Sequence, residues 1–214
     1  MQLSLKQIVP IPLRDKINAY NSGIWQQNID FYKGERVFLQ APSGTGKTTL
    51  IHILYGVRTD FEGMLYWDTF KLPGAGKEEL SKLRAMYLSV IFQDMRLFPE
   101  LTTWENLEIK RRLTDTASEE EVEAWLVRLG MKDKRNSPAR TLSYGEQQRV
   151  AIIRALLQPF EWLLMDEPFS HLDNANIAKA AELIAEVVTQ NGAGMIMADL
   201  DENEYFPYTR KICL

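Results

Sequence analysis

The run Ala41-Pro42-Ser43-Gly44-Thr45-Gly46-Lys47-Thr48-Thr49 limits what this chain can fold into more than any other stretch. It follows Arg36-Val37-Phe38-Leu39-Gln40, which reads as a buried strand, and precedes Leu50-Ile51-His52-Ile53-Leu54, which reads as a helix. A strand, a glycine-rich turn and a helix in that order build a cradle for phosphate. Gly44 and Gly46 let successive backbone N–H groups turn inward toward phosphate oxygens, and the positive end of the helix dipole adds to the attraction. In this pattern Lys47 reaches the β- and γ-phosphates, and the Thr48 hydroxyl ligates Mg²⁺. The pattern usually opens on glycine and here opens on Ala41, which alters its first turn. The alternative is a glycine-rich surface turn, and placement between strand and helix argues against it. The expected ligand is a nucleoside triphosphate.

A chain of 214 residues suits one large α/β domain, and 45% hydrophobic with 25% charged residues excludes a disordered one. The net charge of −4 gives no electrostatic reason to expect nucleic acid. A lone cysteine, Cys213, rules out an intrachain disulfide and fits a reducing compartment. No apolar run is long enough to span a bilayer, and the N-terminus has no basic stretch followed by an apolar one. The expectation is a cytoplasmic protein that meets a membrane only through a partner.

In chain order, residues 3–8 alternate like an edge strand, Pro10 and Pro12 end them, and residues 14–23 read as a loop. Residues 24–31 read as a second strand, turned by Lys33-Gly34-Glu35 into the strand before the phosphate loop. Gly56 reads as the stop of the first helix, and residues 62–68 as a strand at the edge of a small β region. A loop around Pro73, Gly74 and Gly76 leads to a charged helix near residues 78–84. Residues 89–92 form a β-rich run ending at Gln93, whose amide oxygen can hold Mg²⁺ or an attacking water, or merely satisfy a loop. A helix covers residues 104–112, and Ser118 with Glu121 marks a capping box for another that Gly130 closes. Met95, Leu97, Phe98 and Trp104 are either core or an apolar groove for a partner helix.

The run Leu142-Ser143-Tyr144-Gly145-Glu146-Gln147-Gln148-Arg149 opens a capped helix, where Ser143 and Gly145 offer a hydroxyl and N–H groups to an anion. Then Trp162-Leu163-Leu164-Met165-Asp166-Glu167-Pro168 delivers two adjacent carboxylates at the end of an apolar strand, where ligands bind in open α/β sheets. There Asp166 would hold Mg²⁺ through water, and Glu167 would polarise a water for attack on the γ-phosphate. A lone Asp-Glu pair is more often solvated loop chemistry. A phosphate loop in the same chain favours the catalytic reading.

Together these residues resemble the ATP-binding cassette (ABC) ATPases over essentially the whole chain. The signature Leu142-Ser143-Tyr144-Gly145-Glu146-Gln147 lies between the phosphate loop and Asp166-Glu167, and Ser170-His171-Leu172-Asp173 matches the family's D-loop. The resemblance implies a single α/β domain of P-loop NTPase fold. Its RecA-like core sheet would span about residues 1–93 and 138–214, with an antiparallel β edge region and a helical subdomain over about 94–137. It also implies ATP and Mg²⁺ as ligands. Two copies would form a head-to-tail homodimer, each ATP held between one phosphate loop and the other copy's Ser143 and Gly145, with an integral membrane subunit as partner at the inner face of the membrane. The run Phe92-Gln93-Asp94, then Leu97-Phe98-Pro99, Leu101-Thr102 and Glu105-Asn106, looks most like the branch serving lipoprotein release, macrolide export and cell division.

Three departures from the family pattern bear on function. The adenine-stacking aromatic is replaced by Ile11-Pro12-Leu13-Arg14, leaving Tyr20 or apolar contact from Pro12 and Leu13 to meet the base. Tyr144 replaces a glycine of the signature. Asp199 follows the last core strand where the family has a histidine that donates to the γ-phosphate, and a carboxylate there only accepts and repels. His171 in the D-loop is also unusual: across a dimer it either supplies an imidazole that Asp199 orients or, the reading more often true of such a residue, only packs in the interface. Two readings follow: an ATPase that powers a membrane complex with Glu167 as base, or an ATP-gated module that binds and releases nucleotide with little turnover. Lys47, Gln93, Ser143, Asp166 and Glu167 together favour the ATPase.

Overall fold

The computed structural model describes residues 1–17, 22–114, 116–201 and 203–214, with Thr114 described by its backbone alone. The chain opens with strand β1 (Leu3–Pro10), the short helix α1 (Arg14–Ile17), strands β2 (Asn28–Phe31) and β3 (Arg36–Gln40), and helix α2 (Lys47–Leu54). Strands β4 (Phe61–Trp67) and β5 (Phe70–Leu72), helix α3 (Lys77–Met86) and strand β6 (Leu88–Ile91) follow. Helices α4 (Thr103–Thr114), α5 (Glu119–Arg128) and α6 (Tyr144–Leu156) then lead to β7 (Trp162–Asp166), α7 (Asn174–Gln190), β8 (Gly194–Asp199) and β9 (Arg210–Cys213).

The strands divide into an antiparallel sheet of order β2-β1-β4-β5 and a parallel sheet of order β6-β7-β8-β3-β9. The parallel strands are apolar on both faces because helices cover both. Successive side chains point to opposite sides of the sheet, and the two cores follow that period of two. Leu163, Met165, Met195, Met197 and Phe38 face the core shared with α6 and α7. Their alternates Leu164, Ile196, Ala198, Val37 and Leu39 face the core shared with α2 and the antiparallel sheet. The register pairs Gln40 with Asp199 and Asp166 with Ala198, so the carboxyl ends of β3, β7 and β8 finish side by side. Ligands bind at that end of an open parallel sheet.

Several local expectations change. Strand β1 lies inside its sheet, hydrogen-bonded to β2 on one side and β4 on the other, and β5 rather than β4 forms that edge. Of the loop expected over residues 14–23, residues 14–17 form α1, into which a turn of 3₁₀ helix over residues 11–13 runs, and residues 18–21 lie outside the described residues. The second strand begins at Asn28, because Ser22 Oγ accepts from the N–H groups of Ile24 (3.0 Å) and Trp25 (2.9 Å) and bends that segment into a turn. Ser118 caps α5 by accepting from the Glu121 N–H at 3.2 Å, but among the described residues no return bond from the Ser118 N–H to Glu121 closes the expected box; Gly130 ends that helix at φ +66°, as read from the sequence.

Candidate functional site

The phosphate loop hangs between β3 and α2. Gly44 and Gly46 take φ of +85° and +107°, a region where L side chains are strained, and Gly46 is the N-cap of α2. Gly46 is needed for a second reason, since a Cβ there would stand 2.6 Å from Leu13 Cδ1 and 3.1 Å from the Trp25 ring. Trp25 lies buried beneath the loop and donates its indole N–H to the Thr45 carbonyl at 3.2 Å. Lys47 is 7% exposed; its ammonium donates to the Ala41 carbonyl (2.8 Å) and lies 3.2 Å from Glu167 Oε1. Pro42, Ser43 and Gly44 form the exposed rim, and Thr48 and Thr49 begin the helix half-buried.

The carboxylates arrive at the end of β7. Asp166 is fully buried, and neither of its oxygens has a hydrogen-bond partner among the described residues. Burial pushes its carboxyl up to about 6 and the neighbouring Glu167 charge adds to the rise, while the nearby Thr48 hydroxyl favours the charged form without closing a bond of ordinary geometry. An orphaned hard-oxygen donor beside a threonine hydroxyl fits a hydrated Mg²⁺, which takes one or two carboxylates and keeps several waters. Glu167 holds a left-handed φ of +47°, a conformation that costs a non-glycine residue about 1–2 kcal/mol and that collects at functional sites. Its Oε2 accepts from the Gln93 amide at 3.1 Å, so Gln93, Lys47 and Glu167 converge although they come from just past β6, from α2 and from just past β7.

Asp199 ends β8 one register step from the loop, and its carbonyl accepts from the Ala41 N–H at 3.0 Å. Its carboxylate accepts from the Leu200 N–H at 2.7 Å and faces a cavity of about 230 Å³ shared with Ser170, Asp201 and Asn203. Burial, with the Glu167 charge behind it, raises the Asp199 carboxyl above the usual range. His171 has partners of its own in the same chain: Nδ1 lies 3.0 Å from Ser170 Oγ, and the ring stacks on Tyr144 at 5.3 Å between centroids. Tyr20 lies outside the described residues. Ile11 is exposed, Leu13 is half-buried over Gly46, and Arg14 is ion-paired with Glu62.

At the start of α6, Ser143 Oγ accepts from the Glu146 N–H (3.3 Å), and Glu146 accepts in return from the Ser143 N–H (2.8 Å). The Ser143 N–H, and with it the Ser143 hydroxyl, helps hold the Glu146 carboxyl below its usual range, and the hydroxyl, being a rotor, can turn its proton outward to an anion. A Cβ on Gly145 would stand 2.7 Å from the His171 carbonyl, so close approach of the D-loop requires that glycine. Sequence reasoning missed Gln148. It is 1% exposed; its amide N–H donates to the Glu167 carbonyl (3.2 Å), and its oxygen accepts from the His171 N–H (2.9 Å). The available signal was a polar residue on the buried stripe of α6. The proposed groove also changes membership. Met95 is core, Leu97 and Trp104 lean on the core, and Phe98 alone of the four is mainly exposed, at 52%.

Residues 25–170 match the family described as ABC transporter. The chain is 34% identical to the aliphatic sulfonates import ATP-binding protein SsuB of Bacillus anthracis, over 88% of this chain and 76% of the relative. It is 32% identical to the lipoprotein-releasing system ATP-binding protein LolD of Legionella pneumophila (strain Lens), over 79% of this chain and 76% of the relative. Among solved structures, the dimeric bacterial ABC transporter cassette MJ0796 superposes with a TM-score of 0.78 at 28% identity, covering 93% of this chain and 88% of that one. The same cassette in a post-hydrolysis state bound to ADP and Pi gives 0.77 at 29% identity, and nothing in these likenesses supports a non-hydrolysing module. The fold is thus that of a P-loop NTPase, and the chain belongs to the ABC transporter family as an ATP-binding ATPase cassette.

Proposed function

We propose that this chain is the ATP-hydrolysing subunit of a membrane transport complex, in which two copies close head-to-tail on ATP and drive a transmembrane partner. The observation that carries the reading is the meeting of Lys47, Gln93 and Glu167 beside the orphaned carboxylate of Asp166. In this reading the backbone of residues 41–49 and the Lys47 ammonium hold the phosphates. Thr48, Asp166 and Gln93 would hold Mg²⁺, which when bound neutralises charge on the β- and γ-phosphates. Glu167 takes the proton of the attacking water. Asp199 stands beside that proton path, and Ser143 and Gly145 of a second copy complete the phosphate shell. The adenine base rests on apolar surface from Pro12 and Leu13.

The helical segment 94–137 acts as the arm that meets the membrane partner. A groove of about 300 Å³, lined among others by Tyr55, Phe92, Phe98, Ile109, Leu113 and Arg154, runs beside Gln93 and suits an apolar helix end. Among the described residues no helix is long and apolar enough to cross a membrane, and the partner would supply the spanning segments at the inner face of the cytoplasmic membrane. Relatives named for sulfonate import and for lipoprotein release are similarly related to the chain, so the cargo is left to experiment.

Glu167→Gln tests the reading. The amide cannot act as base, so turnover should fall about 1,000-fold while ATP still binds and holds a closed dimer. Equal ATPase rates for this variant and the wild type would sink the assignment.

A further inference from the structure

The turn after Gln93 is held from a distance. Met95 and Arg96 are consecutive, neither is glycine, and both take left-handed backbone angles, φ +56° and +50°. In that region a Cβ crowds the backbone, so two such residues in a row persist only where the surroundings impose them. The outside hold comes from the last turns of α6. The Arg154 guanidinium donates to the Met95 carbonyl at 2.6 Å and to the Arg96 carbonyl at 2.8 Å. A planar fork of donors matches two neighbouring carbonyls in a way that a single ammonium does not. The Arg96 side chain lies 3.7 Å above the Phe92 ring, 3.1 Å from Asp94 and 3.2 Å from His52 Nε2 on α2, contacts that hold its own tip rather than the two carbonyls.

We infer that Arg154 is a positioning residue for Gln93: by fixing the left-handed turn it sets where the Gln93 amide meets Glu167. The contacts run without a gap. Arg154 grips residues 95 and 96, the Met95 N–H donates to the Phe92 carbonyl (3.0 Å), and Gln93 between them donates to Glu167 (3.1 Å). Arg154 and Arg96 also line the groove beside Phe98, so a segment seated there presses on the same turn. The kinetic half of the inference rests on Glu167 being the base; the structural half does not.

Amide hydrogen exchange and steady-state ATPase kinetics on Arg154→Met and Arg154→Lys test it. Arg154→Met should raise exchange in residues 92–98 about tenfold while β7 and the rest of α6 stay protected. It should lower kcat about tenfold, or about 1.4 kcal/mol, and leave KM for ATP within about twofold. Arg154→Lys should recover part of both. In a Gln93→Ala background Arg154→Met should cost nothing further, because Gln93 is the route by which it acts. Unchanged exchange in residues 92–98 would overturn the inference. So would exchange rising throughout α6 with a lower melting temperature, or kcat losses that multiply in the double variant. Exchange decides whether Arg154 holds the turn whatever Glu167→Gln shows.

Discussion

The phosphate loop and the start of α6 are both helix N-termini fitted for anions, but they are finished to different degrees. At the loop the chain supplies its own partners: Lys47 is 7% exposed between the Ala41 carbonyl and Glu167, and Asp166 is buried behind it. At the start of α6, Ser143 and His171 are exposed and Tyr144 is 67% exposed. One end reads as a site, the other as half of one. Large exposed aromatics beside an available hydroxyl are what a surface awaiting a second copy looks like. The difference is what the proposed function needs: on that reading one chain carries two unlike halves, and a complete site takes one half from each of two copies.

The largest effect should come from the finished half. Lys47→Ala removes the charge facing the phosphates and should weaken ATP binding about 100-fold, near 2.7 kcal/mol, in a direct titration of the single chain. The unfinished half should behave differently. Ser143→Arg should leave that titration within about twofold of wild type yet cut turnover about 30-fold, because on the proposed reading the hydroxyl acts only across the dimer. A matching loss of single-chain ATP affinity would show that the two ends are one site within a chain, and the comparison would fail. The smallest effect belongs to the D-loop. His171→Ala should lower turnover about tenfold with ATP binding unchanged, and Asp199→His should restore part of it by supplying an imidazole from within the chain. Unchanged turnover in His171→Ala would leave His171 as a packing partner of Tyr144.

How much was legible follows the same division. Lys47, Asp166 and Glu167 were readable because local spacing places them: a glycine turn between strand and helix, and an acidic pair closing an apolar strand. The α/β class was readable from the strand, glycine turn and helix in that order, whereas the P-loop NTPase architecture came from the resemblance carried by the signature and D-loop runs. What failed depended on pairing between distant segments. Strand β1 reads as an edge by itself, and only β2 and β4 on either side make it interior. Met95 looks like groove surface in a row of apolar residues, and it is core because a left-handed turn directs it inward. Gln148 and Arg154 act through carbonyls of residues remote in sequence, on Glu167 and on the turn after Gln93, and no local pattern announces such contacts. Gly145 was read as an anion donor, and its further duty of admitting the His171 carbonyl is visible only in three dimensions.

The most direct test of the two-halves account mixes two damaged copies. In a Glu167→Gln background, where closed dimers accumulate, one copy carries Lys47→Ala and the other Ser143→Arg. Each alone should stay monomeric with ATP, because every composite site then lacks one half. Mixed, the intact phosphate loop of the Ser143→Arg copy meets the intact α6 start of the Lys47→Ala copy. The account predicts that mixing with ATP yields a dimer on size exclusion, holding about one nucleotide per two chains. A mixture that stays monomeric, or a Ser143→Arg copy that dimerises with ATP by itself, would contradict it.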